Sequence, residues 1–129
     1  MEDKKEIYIL YFNTRDELIR VDLRKVTYFK AERNYTDVYF LNGHSVTLPT
    51  NLMAIEQMLD GEQMRGKTIP FVRLGRSLIV NLSLIIHINI LKQELVLSDM
   101  RTPSVQRVSV AKDALKKLKD LYNQKGIQK

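Results

Sequence analysis

The stretch PFVRLGRSLIVNLSLI, residues 70–85, decides how the fold of this chain is interpreted. A strand buried on both faces is a continuous apolar run, and a half-exposed strand alternates polar with apolar residues. This stretch follows neither pattern, because Arg73, Arg76 and Ser77 interrupt it before the apolar LIV. It predicts two short strands joined by a polar bend, with Asn81 tying down the backbone turn that follows them.

Runs rich in β-branched and aromatic residues on either side of this stretch predict further strands. Two of these runs flank Asn42-Gly43, which is a strong signal for a tight turn between paired strands. The predicted strands are residues 7–12, 18–23, 26–31, 36–41, 45–48, 68–73, 78–80, 85–90, 94–98 and 105–110.

Two segments have helical spacing instead. The first follows Pro49, where apolar residues recur on one helix face, with Thr50 or Asn51 as the N-cap and Gly61 beyond the end. The second is residues 111–122, which place leucines on one face and lysines elsewhere. Short strands outnumber helices, so the fold class is mainly β with one short helix in mid-chain and one at the C-terminus.

Length and composition limit the classes of protein that fit. A chain of 129 residues with 44% hydrophobic residues is long enough for one core and too short for two ordinary domains. It has no cysteine, which excludes disulfides, thiolate zinc sites and cysteine nucleophiles. The sequence also lacks a signal-peptide hydrophobic region and an apolar run long enough for a bilayer. We therefore expect a soluble, cytoplasmic, single-domain protein without a membrane partner.

Groups that do catalysis or bind metals are sparse in this sequence. The two histidines, His44 and His87, have no metal-ligand spacing with each other or with a carboxylate. The five glycines are dispersed, so no phosphate-cradling loop is expected. We expect no enzyme activity, no cofactor and no metal ion.

The cations are concentrated in segments that have no acids. The formal net charge is +6, and neither aspartate nor glutamate occurs between Glu62 and Glu94 or between Asp99 and Asp113. Charges that only keep a protein in solution are usually mixed in sign, so these segments are candidates for a shared positive face. A solvated basic surface without a ligand is the alternative interpretation.

Three polar places interrupt the predicted strands and carry groups that suit nucleic acids. The first is KAERNYTDV, which has cations, an amide and an aromatic ring, and the second is the bend in residues 70–85. In the third, a serine and a lysine lie beside the first amides of the last helix, which together suit a phosphate. Each place can also be a purely structural turn, strand edge or capped helix. The candidate DNA-binding residues are Lys30, Arg33, Asn34, Tyr35, Thr36, Arg73, Arg76, Ser77, Ser109 and Lys112.

The order of these segments resembles the LytTR DNA-binding domain of bacterial transcription regulators. The most specific part is F-x-R-x-x-R-S-x-x-V-N, from Phe71 to Asn81, and YFKAERNYT, NGHSVTLPTNLMAIEQML, LVLSD and VSVAKDALKKL occur in the matching order. The resemblance divides the chain into an N-terminal extension (1–6), a LytTR-like domain (7–122) and a basic C-terminal tail (123–129). In many relatives this domain is the output domain of a response regulator.

The resemblance implies an elongated arrangement of small antiparallel sheets whose loops read successive major grooves of double-stranded DNA. Contacts are implied around residues 34–36, 75–77 and 111–112, which are the places where the strand pattern breaks down. Two positions depart from the family. Gly75 stands where members commonly have histidine, and Ala111 stands near the position of a base-reading arginine.

Sequence-specific DNA binding in bacterial transcription is the leading interpretation. The resemblance implies paired short repeats in the DNA, a second copy of the protein beside the first, and an upstream regulator or sensor protein. One alternative is a protein-interaction module on the same scaffold with weak or no DNA binding, which the missing arginine near Ala111 and the amphipathic last helix favour. RNA binding has less support, since readers of single-stranded RNA usually display paired aromatics on a sheet face.

Overall fold

The computed structural model of the chain describes residues 8–61 and 70–124. Its contacts divide the chain into two compact units, Met1–Ser83 (unit 1) and Leu84–Lys129 (unit 2), and each is described by itself. The predicted fold class is confirmed: small antiparallel sheets dominate, with one helix in mid-chain and one at the C-terminus.

Unit 1 has two antiparallel sheets and one α-helix within its described residues. Its elements are β1 (Ile9–Asn13), β2 (Leu18–Asp22), β3 (Val26–Glu32), β4 (Tyr35–Phe40), β5 (Ser45–Leu48), α1 (Leu52–Asp60), β6 (Phe71–Leu74) and β7 (Leu78–Asn81). β1 and β2 form a hairpin, and the other five strands form a sheet in the order β5-β4-β3-β7-β6.

Unit 2 has a three-stranded antiparallel sheet and one α-helix within its described residues. Its elements are β8 (Ile85–Asn89), β9 (Glu94–Leu97), β10 (Gln106–Ser109) and α2 (Lys112–Gln124), and the strand order is β10-β9-β8. Each of the ten predicted strands therefore has a counterpart, with ends that differ by a few residues. Residues 7, 68 and 69 of the predicted strands lie outside the described residues.

The predicted tight turn at Asn42-Gly43 is confirmed. Gly43 has a φ of +87°, which a residue with a Cβ rarely adopts, and its N–H donates to the carbonyl of Phe40 at 2.9 Å. Asn42 accepts a hydrogen bond from the backbone N–H of His44 through its side-chain oxygen, also at 2.9 Å. These bonds close the connection between β4 and β5.

Helix α1 starts at a side-chain cap and lies on one face of the five-stranded sheet. Of the two predicted N-caps, Asn51 has this role, because its side-chain oxygen accepts the N–H of Ala54 at 2.9 Å. The helix contacts β3 and β7. The buried core of unit 1 consists of Leu10, Phe12, Val21, Leu23, Val26, Phe29, Val38, Leu48, Leu52, Ile55 and Ile79.

Phe29 belongs to this core and is fully buried. Its ring centroid is 5.7 Å from that of Phe71 at a tilted angle, so β3 and β6 contact each other across β7. Burial of one such side chain stabilises a fold by about 2 kcal/mol. The aromatic residue that opens the signature motif is therefore part of the packing.

The amide side chain of Asn81 joins two strands that are far apart in sequence. Asn81 is buried, and its Nδ2 donates to the carbonyl of Val26 at 3.0 Å. Its Oδ1 accepts from the backbone N–H and the hydroxyl of Ser83, at 3.0 and 2.6 Å. The predicted role of Asn81 in fixing the turn after β7 is confirmed, and the side chain also fixes the start of β3.

We expect Asn81→Ala to lower the free energy of unfolding by about 2–3 kcal/mol, because it leaves the buried carbonyl of Val26 without its donor. Ser83→Ala is the matched control and should cost about 1 kcal/mol, since the backbone bond to Asn81 remains. Urea denaturation of both variants measures the difference. Equal losses in the two variants would contradict the role of Asn81 as the link to β3.

Tyr28 and Tyr39 stack on neighbouring strands of the five-stranded sheet. Their ring centroids are 4.4 Å apart and their planes differ by 13°. Burial, with the adjacent Tyr39 as the second cause, raises the pKa of Tyr28 to about 12. The phenol of Tyr28 therefore keeps its proton in the folded state above pH 10, where an unfolded tyrosine loses it.

Because the unfolded state releases this proton first, the free energy of unfolding should fall as pH rises from 10 to 12. We expect Tyr28→Phe to make that fall smaller, while the two proteins differ by a constant amount between pH 7 and 9. Denaturation at a series of pH values measures both quantities. Parallel curves up to pH 12 would be inconsistent with a raised pKa at Tyr28.

Candidate nucleic-acid interface

Strand pairing brings the first two predicted polar places together at one end of the five-stranded sheet. β3 lies between β4 and β7 and is antiparallel to both, so the β3–β4 turn and the β6–β7 turn leave the sheet at the same end. The backbone N–H of Ala31 donates to the carbonyl of Ser77 at 2.8 Å, which continues the pairing up to the second turn. We call residues 33–35 and 75–77 together the turn pair.

The first half of the turn pair is the two-residue connection Arg33-Asn34. Arg33 has a φ of +58°, in the left-handed region, and both side chains are exposed. Tyr35 opens β4 with about half of its surface exposed. A cation, an amide and an aromatic ring are thus accessible within three consecutive residues. Lys30 is also exposed and stands opposite Asp37 in the sheet.

The second half of the turn pair is the three-residue connection 75–77. Gly75 has a φ of +65°, and a Cβ built on it would have no neighbour within 4 Å. The side chains of Arg76 and Ser77 are exposed. The bend thus has open space on its outer side and displays a guanidinium beside a hydroxyl.

Two of the ten candidate residues are engaged inside unit 1. Thr36 is fully buried, and its hydroxyl donates to the carbonyl of Thr50 at 2.9 Å. The guanidinium of Arg73 is directed to Glu56 and to the backbone of the second turn. We therefore leave Thr36 and Arg73 out of the set of proposed direct contacts.

The guanidinium of Arg73 has three protein acceptors. Nη1 donates to Oε1 of Glu56 on α1 at 2.6 Å, and Nε and Nη2 donate to the carbonyls of Gly75 and Arg76 at 3.0 and 3.1 Å. Glu56 is not among the sequence-predicted residues. Its helix position gives no sign of the pairing, because residues 56 and 73 meet only through the packing of α1 on the sheet.

The third predicted place lies in unit 2, where β10 leads into α2. Ser109 ends β10, Lys112 begins α2, and both are exposed. Between them, Val110 is buried and donates its N–H to the carbonyl of Gln93 at 3.0 Å. Asp113 follows in the first helical turn, where a carboxylate stabilises the positive end of the helix dipole and opposes a phosphate.

Residues 8–61 and 70–124 contain neither a metal-binding cluster nor a membrane-spanning helix. Within these ranges, no group of three or more histidine, aspartate or glutamate side chains is arranged to hold a metal ion. No helix in the same part of the chain is both long enough and apolar enough to cross a bilayer.

The fold and the turn pair define a class of protein: an antiparallel β scaffold that displays cations, an amide and hydroxyls on turns. The family model described as the LytTr DNA-binding domain matches residues 16–123, and the chain belongs to this family. Membership supports DNA binding in transcription regulation.

A solved structure with the same fold is the LytTr DNA-binding domain of a Bacillus cereus protein described as a methyl-accepting/DNA response regulator. The TM-score is 0.61 with 26% sequence identity, over 89% of this chain and 96% of that one. The search of curated proteins found no match.

Substitution of Gly75 tests the geometry of the second turn. Gly75→Ala should cost about 1 kcal/mol of unfolding free energy, because an L-residue pays for the left-handed conformation although space is open around its Cβ. Gly75→Asn should cost less, since asparagine tolerates this region. Thermal or urea unfolding measures both. A stabilising alanine would show that the backbone of this turn is not left-handed.

Proposed function

We propose that this chain binds a specific sequence in double-stranded DNA in bacterial transcription regulation, and that the turn pair enters the major groove. The observation that supports this most is the pairing of β3 with β7, which brings Asn34, Arg76 and Ser77 to one end of a sheet with exposed side chains. Neighbouring strands lie about 4.8 Å apart, so the centres of the two turns are about 10 Å apart along the sheet end, and the major groove is about 12 Å wide.

Each exposed group has a chemical role in this proposal. The guanidinium of Arg76 binds O6 and N7 of a guanine, and the amide of Asn34 pairs with N6 and N7 of an adenine. The hydroxyl of Ser77 and the cations of Lys30 and Arg33 bind phosphates. The ring of Tyr35 packs against a deoxyribose or a thymine methyl group.

Unit 2 adds phosphate contacts in the same proposal. Ser109 and Lys112 are exposed where β10 leads into α2. A lysine is a point charge without the two-pronged geometry of arginine, so this place binds the backbone and does not read a base. The proposed target is a pair of short repeats bound by two copies, under the control of an upstream regulator or sensor protein.

A protein-interaction module remains the second candidate, and one observation favours it. A shallow open groove in unit 2 is lined by residues of β8 and α2, among them Ile86, Ile88 and Tyr122. Ile86 is about half exposed on β8, which is an edge strand of its sheet. A DNA-selection experiment separates the two candidates, because the interaction module would yield no preferred sequence.

Selection from a randomised duplex library should yield two short repeats about one helical turn, or roughly 10 base pairs, apart. Affinity for the selected duplex should fall with salt, with a log-log slope of about 0.9 for each neutralised phosphate. Recovery of no preferred sequence, or an affinity that is independent of salt, would reject the proposal. A titration by fluorescence anisotropy at several salt concentrations gives the slope.

For Arg76→Ala we expect a loss of about 1–3 kcal/mol on the selected duplex and a relaxed preference at one base pair. Arg76→Lys should relax the preference as well, because lysine keeps the charge but lacks the paired donors with which a guanidinium binds guanine. Arg15→Ala is the matched control: Arg15 is exposed on the β1–β2 turn and is paired with Asp16 at 3.1 Å. An equal effect of Arg76→Ala and Arg15→Ala would contradict base reading by Arg76.

A further inference from the structure

We infer that Arg73 and Glu56 are positioning residues, which hold the second turn of the turn pair in the conformation that presents Arg76 to DNA. The inference rests on the proposed function. It assigns a role to Glu56, and it separates the two arginines of the signature motif, one of which holds the turn while the other reads the DNA.

Arg73 makes three hydrogen bonds through its guanidinium group. Its guanidinium reaches one carboxylate oxygen of Glu56 at 2.6 Å and the carbonyls of Gly75 and Arg76 at 3.0 and 3.1 Å. The side chain of Arg73 is only 28% exposed. A planar guanidinium with donors in a rigid fork can satisfy three acceptors in different directions, which a lysine ammonium does with less geometric definition.

The two carbonyls that Arg73 binds flank Arg76 in the bend. They belong to the peptide planes that precede and follow Arg76, so their directions determine the direction of its Cα–Cβ bond. On the other side of the bend, the carbonyl of Ser77 accepts the N–H of Ala31 at 2.8 Å. The backbone of the bend is therefore held from both sides, and the side chain of Arg76 is left to point into solvent.

Loss of this restraint on the bend should weaken specific binding. Glycine has more conformational freedom than any other residue type. Without the bonds from Arg73, the bend at Gly75 therefore samples many backbone conformations. The free energy of ordering it is then paid when DNA binds. Ordering one residue corresponds to a loss of about tenfold in affinity for the specific site. Non-specific binding to the phosphate backbone does not require an ordered bend, so the affinity for a DNA of arbitrary sequence should change little.

A direct contact between Arg73 and a phosphate predicts a different effect of a change at Glu56. If Arg73 bound DNA itself, Glu56 would compete with the phosphate, and removal of its charge would strengthen binding to every duplex. If Glu56 holds Arg73 on the turn, removal of its charge lowers the preference for the selected duplex. The two roles therefore differ in whether the ratio of the affinities for the selected and the scrambled duplex falls or stays the same.

The experiment measures Kd for the selected duplex and for a scrambled duplex over a salt series, for the whole chain and its Arg73→Lys and Glu56→Gln variants. For Arg73→Lys, which keeps the charge, we expect about tenfold weaker binding to the selected duplex, unchanged binding to the scrambled one and an unchanged salt slope. For Glu56→Gln we expect a smaller ratio of the two affinities. Arg15→Lys is the matched control and should change neither affinity.

Amide hydrogen exchange of the DNA-free protein tests whether Arg73 holds the second turn, without any nucleic acid present. In Arg73→Lys, exchange of the Ala31 amide should become faster, because its acceptor is on the bend. The Leu41 amide, which donates to Lys25 at the other end of β3, should be unaffected and serves as the internal control for an intact fold.

The two experiments separate failure of this inference from failure of the proposed function. If no duplex is selected but the Ala31 amide exchanges faster in Arg73→Lys, the proposed function is rejected. The role of Arg73 in holding the second turn is then still supported. If a duplex is selected but Glu56→Gln tightens binding to both duplexes equally, Arg73 contacts DNA directly and the inference is overturned. Unchanged exchange of Ala31 together with unchanged specificity would also overturn it.

Discussion

The pairing of β3 with β7 is the constraint on which the rest of unit 1 depends. It joins residues 28–30 to residues 78–80, about fifty positions apart in the chain, and it ends in the hydrogen bond from Ala31 to Ser77. Because β3 also pairs with β4, one strand aligns two separate turns at the same sheet end. A slip of this pairing by one residue would move Phe29 and Ile79 out of the core and displace the two turns relative to each other. Packing of the core and alignment of the turn pair therefore have the same physical origin.

The polar residues of the signature motif divide between the interior and the surface. Asn81 and Arg73 direct their polar groups to backbone carbonyls and to Glu56, whereas Arg76 and Ser77 leave theirs exposed. Buried polar groups are stable only when their hydrogen bonds are made, and in the described residues none of the buried side-chain nitrogen or oxygen atoms is without a partner. The irregular pattern of residues 70–85 thus combines strand packing, turn geometry and surface chemistry in one short segment.

Much of the fold could be predicted from the sequence, because the responsible signals are local. Runs of β-branched and aromatic residues identify the strands, and Asn42-Gly43 identifies a turn. The burial of Thr36 and the partners of Arg73 could not be predicted in this way. Both depend on contacts with residues at least fourteen positions away, Thr50 and Glu56, which meet them only when α1 and the sheet have packed. A polar residue beside a turn has the same sequence signature whether it faces solvent or a carbonyl.

We propose that the two halves of the turn pair meet the same DNA. NMR chemical-shift mapping with a selected duplex tests this proposal most directly, because each residue other than proline gives its own backbone amide signal. We expect the amides of residues 33–35 and 75–77 to shift together at the same ratio of DNA to protein, and those of the β1–β2 turn at residues 14–17 to stay unchanged. Shifts concentrated along β8 or the β1–β2 hairpin, with the turn pair unchanged, would contradict it.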